Sequence, residues 1–295
     1  YNDDTTVRIL ERMGKRGQQA ALAEGFGQDA VGKKESARRG LFTSGIVSTH
    51  AGRQIALFFS GRKHAGENLT TVLTQRAKAL DPPIQMCDAL SRNLPTELET
   101  ILANCLAHGR RQFVEVADRF PEPCRYVLES LKVVYRNDAI ARKQTLSSEA
   151  RLQFHQAESQ PAMEELRIWL TRQFEDHLVE PNSALGGAIS YLLRHWEKLT
   201  LFLREPGAPL DNNICERALK KAILHRKNAL FYKTEKGALV GDTFMSLIYT
   251  CQLCGADPFD YLTELQRHAT ALAVTPQDWM PWNYREALNS ITAME

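Results

Sequence analysis

The first part of the chain alternates between short apolar runs and residues that favour turns. Strand-like patterns cover residues 5–10, 41–49, 54–60, 84–89 and 101–106. Leu69, Val72 and Leu73 have helical spacing and predict a helix over residues 66–78, which Asp81-Pro82-Pro83 ends. Residues 11–40 are rich in Gly, Lys and Arg and predict a loop. The order is β, β, β, α, β, β, which is a mixed α/β pattern.

From about His108 to Arg204 the strand signals stop and amphipathic helical patterns replace them. Breakers follow at residues 204–209, and a helix is predicted to begin near Asn213. Leu230-Phe231-Tyr232 predicts a short turn or strand, and Gly237 is predicted to interrupt the chain. Two further helices are predicted, at Phe244–Leu253 and Asp257–His268.

This order predicts an α/β unit that a helical block interrupts. Four ranges are predicted. They are the first part of the α/β unit at 1–112, the helical insertion at 113–204, the resumed unit at 205–243 and a helical C-terminal segment at 244–295.

Composition excludes several protein classes. Hydrophobic residues make up 43% and charged residues 24%, which excludes collagen-like, mucin-like and wholly disordered chains. The longest apolar run, about Ile55–Phe59, is too short for a membrane span, and no signal-peptide pattern is present. The six cysteines lack a disulfide spacing, which favours a reducing cytosol. Cys251 and Cys254 are interpreted as small apolar residues of a helix rather than metal ligands.

Acidic residues at the ends of predicted elements are the first candidates for chemistry. Asp3 or Asp4 and Asp88 stand at strands, and Glu216 opens a helix. Carboxylates from distant positions can converge on Mg²⁺, and two such ions support phosphodiester chemistry. The alternative is structural: solvated acids at a strand, a turn cap, and a capping box from Asn213 to Glu216. Alternation puts Asp3 on the face of Val7 and Ile9, which favours it over Asp4.

A cationic stripe follows Glu216. Arg217, Lys220 and Lys221 lie on neighbouring turns of one helix side, and Arg226 and Lys227 follow. Lysine and arginine make most contacts to nucleic-acid phosphates, although the net charge of the whole chain is only +2. The alternative is a solvated helix face.

The motifs together resemble the transposases of the insertion sequence 66 family. The Asp211–Phe231 run resembles that family's Asp-Asn-Asn, Glu-Arg-Ala and Arg-Lys-Asn signature and is the most specific part. The other matching segments are Asp3-Asp4-Thr5, His64–Leu69, Cys87–Asn93, Cys105–Phe113, Leu253–Leu262 and Pro281–Tyr284. The family often has Glu at the position of Asp4 and Pro at that of Thr6, and it commonly has a Gly-Tyr type of sequence after the second acid.

The resemblance implies a ribonuclease-H-like fold whose mixed sheet is interrupted by an all-helical insertion. Asp3, Asp88 and Glu216 would be the catalytic acids and would bind two Mg²⁺ or Mn²⁺ ions. The implied DNA-binding residues are Arg110, Arg111, Asn213, Arg217, Lys220, Lys221, Arg226 and Lys227. His108 and Asn212 would lie nearby. The family's upstream helix-turn-helix region, sometimes with a zinc-binding segment, would precede Tyr1, so the chain is interpreted as a fragment.

The expected activity is cleavage of transposon ends followed by strand transfer into target DNA. The expected partners are the transposon ends, the target DNA, further copies of the chain and accessory proteins of the same element. The expected location is the bacterial cytoplasm, at the nucleoid and not at a membrane. Three alternatives stay open at this point. They are a metal-dependent nuclease of the same fold, an inactive DNA-binding remnant, and a helical interaction protein without a nucleic-acid role.

Overall fold

A three-stranded antiparallel sheet contains the N-terminal residues. The computed structural model describes residues 1–23, 40–50, 52–76 and 79–292. The strands are β1 (Asn2–Thr6), β2 (Phe42–His50) and β3 (Arg53–Gly61), in that order across the sheet. The predicted hairpin of β2 and β3 is confirmed. Gly52 adopts φ +77° in its turn, a conformation that glycine tolerates, while position 51 lies outside the described residues.

The segment after β1 differs from its prediction. β1 starts earlier and ends at Thr6 rather than at residue 10, and a single 3₁₀ turn occupies Leu10–Arg12. Helix α1 (Gly14–Ala23) follows, so the predicted loop is wrong for this stretch. Its Gln-Gln-Ala-Ala-Leu-Ala run consists of good helix formers, which outweigh the two glycines. The rest of that predicted loop, residues 24–39, lies outside the described residues.

A second, parallel pair of strands follows helix α2 (Ala65–Leu73). The strands are β4 (Ile84–Cys87) and β5 (Ile101–Asn104), each two residues shorter than predicted, with a 3₁₀ turn at Ser91–Asn93 between them. Positions 77 and 78, the end of the predicted helix, lie outside the described residues. Strands and helix together confirm the predicted mixed α/β class.

Six helices form the helical block. They are α3 (Leu106–Val116), α4 (Pro121–Lys143), α5 (Ser148–Glu158), α6 (Gln160–Glu175), α7 (Ala184–Arg194) and α8 (Trp196–Leu199), and a 3₁₀ turn follows at Leu201–Leu203. Their apolar faces meet in one core around Phe113, Leu131, Leu166 and Leu192. The absence of strands from residue 106 to residue 212, a range described throughout, agrees with the prediction.

A buried ionic network connects α4 with α5. Arg151 Nη2 donates to Asp138 Oδ1 at 2.6 Å, Arg142 also pairs with this carboxylate, and His155 Nε2 lies 3.4 Å from it. Burial alone would raise the pKa of Asp138, but His155 and the two guanidinium groups outweigh it and lower that pKa. The ionised carboxylate therefore contributes to the stability of this block.

Helix α9 (Asn213–Ala229) begins where the sequence predicts, and α10 (Glu235–Cys254) begins earlier than predicted. Gly237 does not interrupt the chain, because it lies in the first turn of α10, where its N–H donates to Thr234 Oγ1 at 3.0 Å. Three helices end the chain: α11 (Pro258–Arg267), α12 (Ala269–Val274) and α13 (Tyr284–Thr292). Cys251 is fully buried with Tyr261, Trp279 and Tyr284 in their apolar core.

Helix α10 covers β3, which is one edge of the three-stranded sheet. Side chains four residues apart on α10 form hydrogen bonds to alternate residues of the strand. The pairs are Asp242 with Ser60, Ser246 with Phe58, Thr250 with Ala56, and Cys254 with Gln54. The first three accept from backbone N–H groups, at 2.5, 3.0 and 3.1 Å, and the cysteine donates to a carbonyl oxygen at 3.5 Å. These groups satisfy backbone atoms that an exposed edge strand leaves open.

The chain divides into two compact units. The first contains residues 1–76, 92–97 and 213–295, and the second contains 77–91 and 98–212. The units do not coincide with the predicted domain ranges, because β4 and β5 group with the helical block. In the part of the chain that the structure describes, no helix combines the length and the apolar character needed to cross a membrane.

Candidate functional site

Asp3 faces helix α9. In the β1–β2 register Asp3 pairs with Gly45, so the two residues share a face of the sheet. A Cβ placed on Gly45 would lie 3.0 Å from Leu219 of α9, which identifies this face as the one that α9 covers. Asp3 Oδ1 accepts from the Asp4 N–H at 2.8 Å and lies 3.5 Å from Asn93 Nδ2.

Asp4 faces helix α2 on the opposite side. Its register partner is Ser44, whose Oγ accepts from Asn68 of α2 at 2.9 Å. The Asp4 side chain is only 1% exposed; His64 Nδ1 lies 2.8 Å from Oδ2, and Arg92 Nη2 lies 3.4 Å from Oδ1. The Asp4 carboxylate therefore ties β1 to the start of α2, and the two neighbouring acids have separate surroundings.

Helix α9 runs along β1 in the direction of the strand. Near its start, Cys215 Sγ donates to the carbonyl oxygen of Gly45, the residue paired with Asp3, at 3.2 Å. Near its end, Arg226 Nη1 donates to Thr6 Oγ1 at 2.7 Å. The first turn of α9 therefore lies over the part of β1 that contains the acids.

Glu216 lies in this first turn, next to Cys215. Asp3 and Glu216 are both partly buried, and they come from two elements that pack together within one unit. Their donor atoms are carboxylate oxygens, the hard ligands that Mg²⁺ and Mn²⁺ prefer. The chemistry of this donor set therefore fits the implied divalent ions.

The cationic residues of α9 are mostly at the surface. Arg217, Lys220, Lys221 and Lys227 are exposed, and Asn213 is partly buried at the first position of the helix. The exception is Arg226, whose guanidinium also bonds to the carbonyl oxygen of Thr6, so that it anchors the helix to the sheet. From residue 217 to residue 233 the sequence has six lysines and arginines and no acid, so this stretch of the chain contributes only positive charge.

Asp88 belongs to the other unit. It directly follows β4, its Oδ1 accepts from the Leu90 N–H at 3.1 Å, and its carbonyl oxygen lies 3.4 Å from Asn104 Nδ2 of β5. Burial, with the negative charge of Asp88 as the second cause, raises the pKa of Tyr191 on α7 to about 12. The carboxylate is thus partly buried at the end of a strand, as predicted, beside α7.

The remaining predicted residues also lie in this second unit. Arg110 and Arg111 are exposed on α3. At the start of the Asp211–Phe231 run, the buried Asn212 donates its N–H to Cys105 Sγ at 3.3 Å. The start of the run therefore packs at the β5–α3 junction, whereas Asn213–Ala229 forms α9. The structure groups Asp3 with Glu216 in one unit and Asp88 with the two arginines in the other.

Three residues of the Asp3–Asp4 surroundings were not predicted as part of a site: His64, Arg92 and Asn93. All three lie in motif segments named above, and the first of them also has a local signal in the sequence. His64 and Glu67 form a capping box, in which the His64 N–H donates to Glu67 Oε2 at 2.7 Å. A glutamate three residues after a cap position and ahead of an apolar run is a recognisable helix start.

A model of the "Transposase IS66 family" matches residues 29–239, which is more than half of the chain. The chain belongs to this family. The matched range contains Asp88, Glu216 and every predicted DNA-binding residue, and it begins after Asp3.

Three proteins of Sinorhizobium fredii illustrate the similarity within this transposase family. "Uncharacterized protein y4jD" is 34% identical over 188 residues, which cover 62% of this chain and 36% of that protein. The proteins y4hP and y4qI, which carry the same description, are 32% and 31% identical; each match covers 63% of this chain and 35% of the relative. The chain thus spans about a third of the length of these relatives. No solved structure matches it.

Proposed function

We propose that this chain supplies the catalytic residues of a transposase that cuts the ends of its element and joins them to target DNA. One observation carries the proposal most directly: Asp3 lies on the sheet face that α9 covers, and the first turn of that helix contains Glu216. The cationic stretch that follows, residues 217–233, contains no acid and suits a phosphate backbone. Membership of the IS66 transposase family supports the same reading.

Asp3, Asp88 and Glu216 are the proposed ligands of two Mg²⁺ or Mn²⁺ ions. When bound, such ions lower the pKa of the attacking hydroxyl group and stabilise the leaving oxygen in phosphoryl transfer. Asp3 is preferred to Asp4 because the Asp4 carboxylate is buried against His64 and Arg92. Asp88 completes the set from the end of β4, as in the ribonuclease-H-like arrangement that the proposal includes.

The reaction has two in-line displacements at phosphorus. In the first, water attacks the phosphate at the transposon end, the bond to the 3′ oxygen breaks, and that oxygen leaves as a hydroxyl group. In the second, this hydroxyl attacks a phosphate of the target strand and displaces the target's own 3′ oxygen. Arg217, Lys220, Lys221 and Lys227 hold the backbone, and Arg226 keeps α9 against β1. On the other unit, Arg110 and Arg111 contribute exposed charge.

The test uses labelled duplexes from the DNA that flanks the gene, incubated with the protein and Mg²⁺ or Mn²⁺. We expect nicks that leave 3′ hydroxyl groups, and joining of a pre-cut end to plasmid DNA. Asp3→Asn, Asp88→Asn and Glu216→Gln should each abolish both products while DNA binding persists. Glu286→Gln, at an exposed acid of α13, is the matched control and should retain both.

The other outcomes identify the alternatives. Nicks without joining of a pre-cut end would indicate a nuclease, and binding without nicks would indicate an inactive DNA-binding remnant. Full activity of Asp3→Asn together with loss in Asp4→Asn would overturn the assignment of the first ligand. The absence of any DNA binding would contradict the proposal as a whole.

The proposal extends to the assembly. Two element ends must be brought together before joining, so we expect at least two copies of the chain on paired ends, in the cytoplasm at the nucleoid. Accessory proteins of the same element belong to this expectation. Analytical ultracentrifugation of the protein with and without end DNA measures the first part directly.

A further inference from the structure

Two apolar residues of the segment that joins α9 to α10 are partly exposed. Leu230 is 60% exposed and Phe231 is 44% exposed; the pair is called the α9–α10 tip below. Leu230 has φ +65°, in the left-handed region that branched, bulky residues rarely adopt. Backbone strain of this kind persists only where the surrounding structure holds it, and it concentrates at functional positions. Both side chains line a small crevice with Val7, Ala222 and Met245, and this packing still leaves about half of each side chain exposed to solvent.

The backbone around the α9–α10 tip is fixed by hydrogen bonds. The Phe231 N–H donates to the Ala229 carbonyl at 2.8 Å, and the Tyr232 N–H donates to the Arg8 carbonyl at 2.8 Å. In return, the Tyr232 carbonyl accepts from the Leu10 N–H at 2.9 Å. The Tyr232 ring also stacks on His225, with centroids 4.9 Å apart. These bonds hold the backbone of the tip in one conformation, so it loses little conformational entropy when it contacts a partner.

Positively charged residues flank the α9–α10 tip along the chain. Lys227 precedes it and Lys233 follows it, and both are exposed. The tip lies inside the stretch from residue 217 to residue 233 that has no acid. A protein surface that buried this tip would have to neutralise these cations, whereas DNA supplies phosphates for the lysines and bases for the apolar side chains. Proteins that kink or unstack DNA insert Phe and Leu between base steps in this way.

We infer that the α9–α10 tip is a wedge that enters the base stack of DNA whose backbone the α9 cations hold. The inference rests on the proposed function for its partner and adds a contact to bases that the catalytic acids do not require. Phe231 stacks on a displaced base, Leu230 fills the opened step, and Lys227 and Lys233 bind the flanking phosphates.

The test measures unstacking and backbone binding separately. The probe is a forked DNA duplex with one 2-aminopurine at the fork, because the emission of this base rises when it leaves the stack. The full chain should raise the emission, and Phe231→Ala should remove the rise and weaken binding about fivefold or more. The salt dependence of affinity should not change in this variant, because it reports phosphate contacts. The double variant Lys227→Ala/Lys233→Ala should instead reduce the salt slope by about two.

Two further variants separate a binding effect from misfolding. Leu230→Asn removes the apolar side chain at a position where asparagine tolerates positive φ, so folding stability should hold while the emission rise falls. Phe259→Ala removes a 79% exposed phenylalanine of α11 and is the matched control, which should behave as the original chain.

Each outcome has a defined meaning. Binding without any emission rise, or a rise that persists in Phe231→Ala, would overturn the wedge and leave the proposed function intact. If Phe231→Ala changed self-association and not emission, the tip would be a protein contact and the inference would be wrong. If the chain bound no DNA, the proposed function would fail together with the inference.

Discussion

Replacing Asp242 by asparagine should stabilise the protein near neutral pH. This aspartate of α10 is 4% exposed, and it accepts hydrogen bonds from the N–H and the hydroxyl of Ser60. Among the described residues no lysine or arginine forms an ion pair with it. Burial therefore raises its pKa to about 6, although the bonds from Ser60 lower it. The folded protein thus holds a carboxylate that is costly to ionise.

The magnitude follows from the pKa. A rise from 3.8 to about 6 is roughly two pKa units, which corresponds to about 3 kcal/mol. Between these pH values the folded state binds more protons than the unfolded state, so the free energy of unfolding falls as pH rises through this window. Asparagine avoids this loss because it is neutral; its Oδ1 can accept from the Ser60 N–H while its Nδ2 donates to the Ser60 hydroxyl. We expect the free energy of unfolding of Asp242→Asn to exceed that of the original chain by up to about 3 kcal/mol at pH 7.

Urea unfolding followed by circular dichroism, at several pH values from about 4 to 7, measures this effect. The quantity of interest is the difference between Asp242→Asn and the original chain, because other groups cancel in it. Asp138 is one such group: its pKa is lowered, so its contribution to the free energy of unfolding is lost only as pH falls below the ordinary pKa of an aspartate, 3.8. Asp260→Asn, at an exposed aspartate of α11, is the control. A variant less stable than the original at pH 7, or a difference that does not change with pH, would refute the reasoning.

Two further substitutions probe the sheet faces on either side of β1. Gly45→Ala places a Cβ about 3.0 Å from Leu219 and should displace α9, with a loss of about 1–3 kcal/mol in urea unfolding and reduced DNA cleavage; unchanged stability and activity would show that Leu219 moves aside freely. His64→Ala removes the closest partner of the buried Asp4 carboxylate, leaves Arg92 at 3.4 Å, and should cost about 1–3 kcal/mol in the same assay. A neutral result would mean that water replaces the imidazole.

Local patterns predicted the regular elements well where one periodicity dominates. β2 and β3 are apolar runs on either side of a turn, and their observed bounds differ from the predicted ones by one residue. Helix α9 combines helical spacing with a clear start, and it begins at the predicted residue. The prediction that Gly237 interrupts the chain is wrong, because a glycine in the first turn of a helix destabilises it little when a residue such as Thr234 caps that turn. The division into units could not be predicted, because it depends on which elements pack together rather than on changes in composition.

The candidate site shows the same limit. The period of two along β1 predicts that Asp3 and Asp4 point to opposite faces, and the structure confirms it. The partners of Asp4 could not be predicted, because His64 lies 60 positions away along the chain. The positive φ of Leu230 was equally invisible, since leucine does not favour it. The convergence of Asp88 on Asp3 and Glu216 stays a prediction.

The contact between α10 and β3 depends on how closely the rise of four helical residues matches the rise of two strand residues. Four helical residues advance about 6.0 Å, whereas two strand residues advance about 6.8 Å, so each successive bond falls roughly 0.8 Å further out of step. All four contacts persist despite this difference, and the last is made by Cys254, whose larger sulfur atom lies 3.5 Å from the Gln54 carbonyl oxygen. A helix can therefore cover a sheet edge in this way only over a limited length. In this protein β3 has nine residues, and α10 ends at the fourth contact.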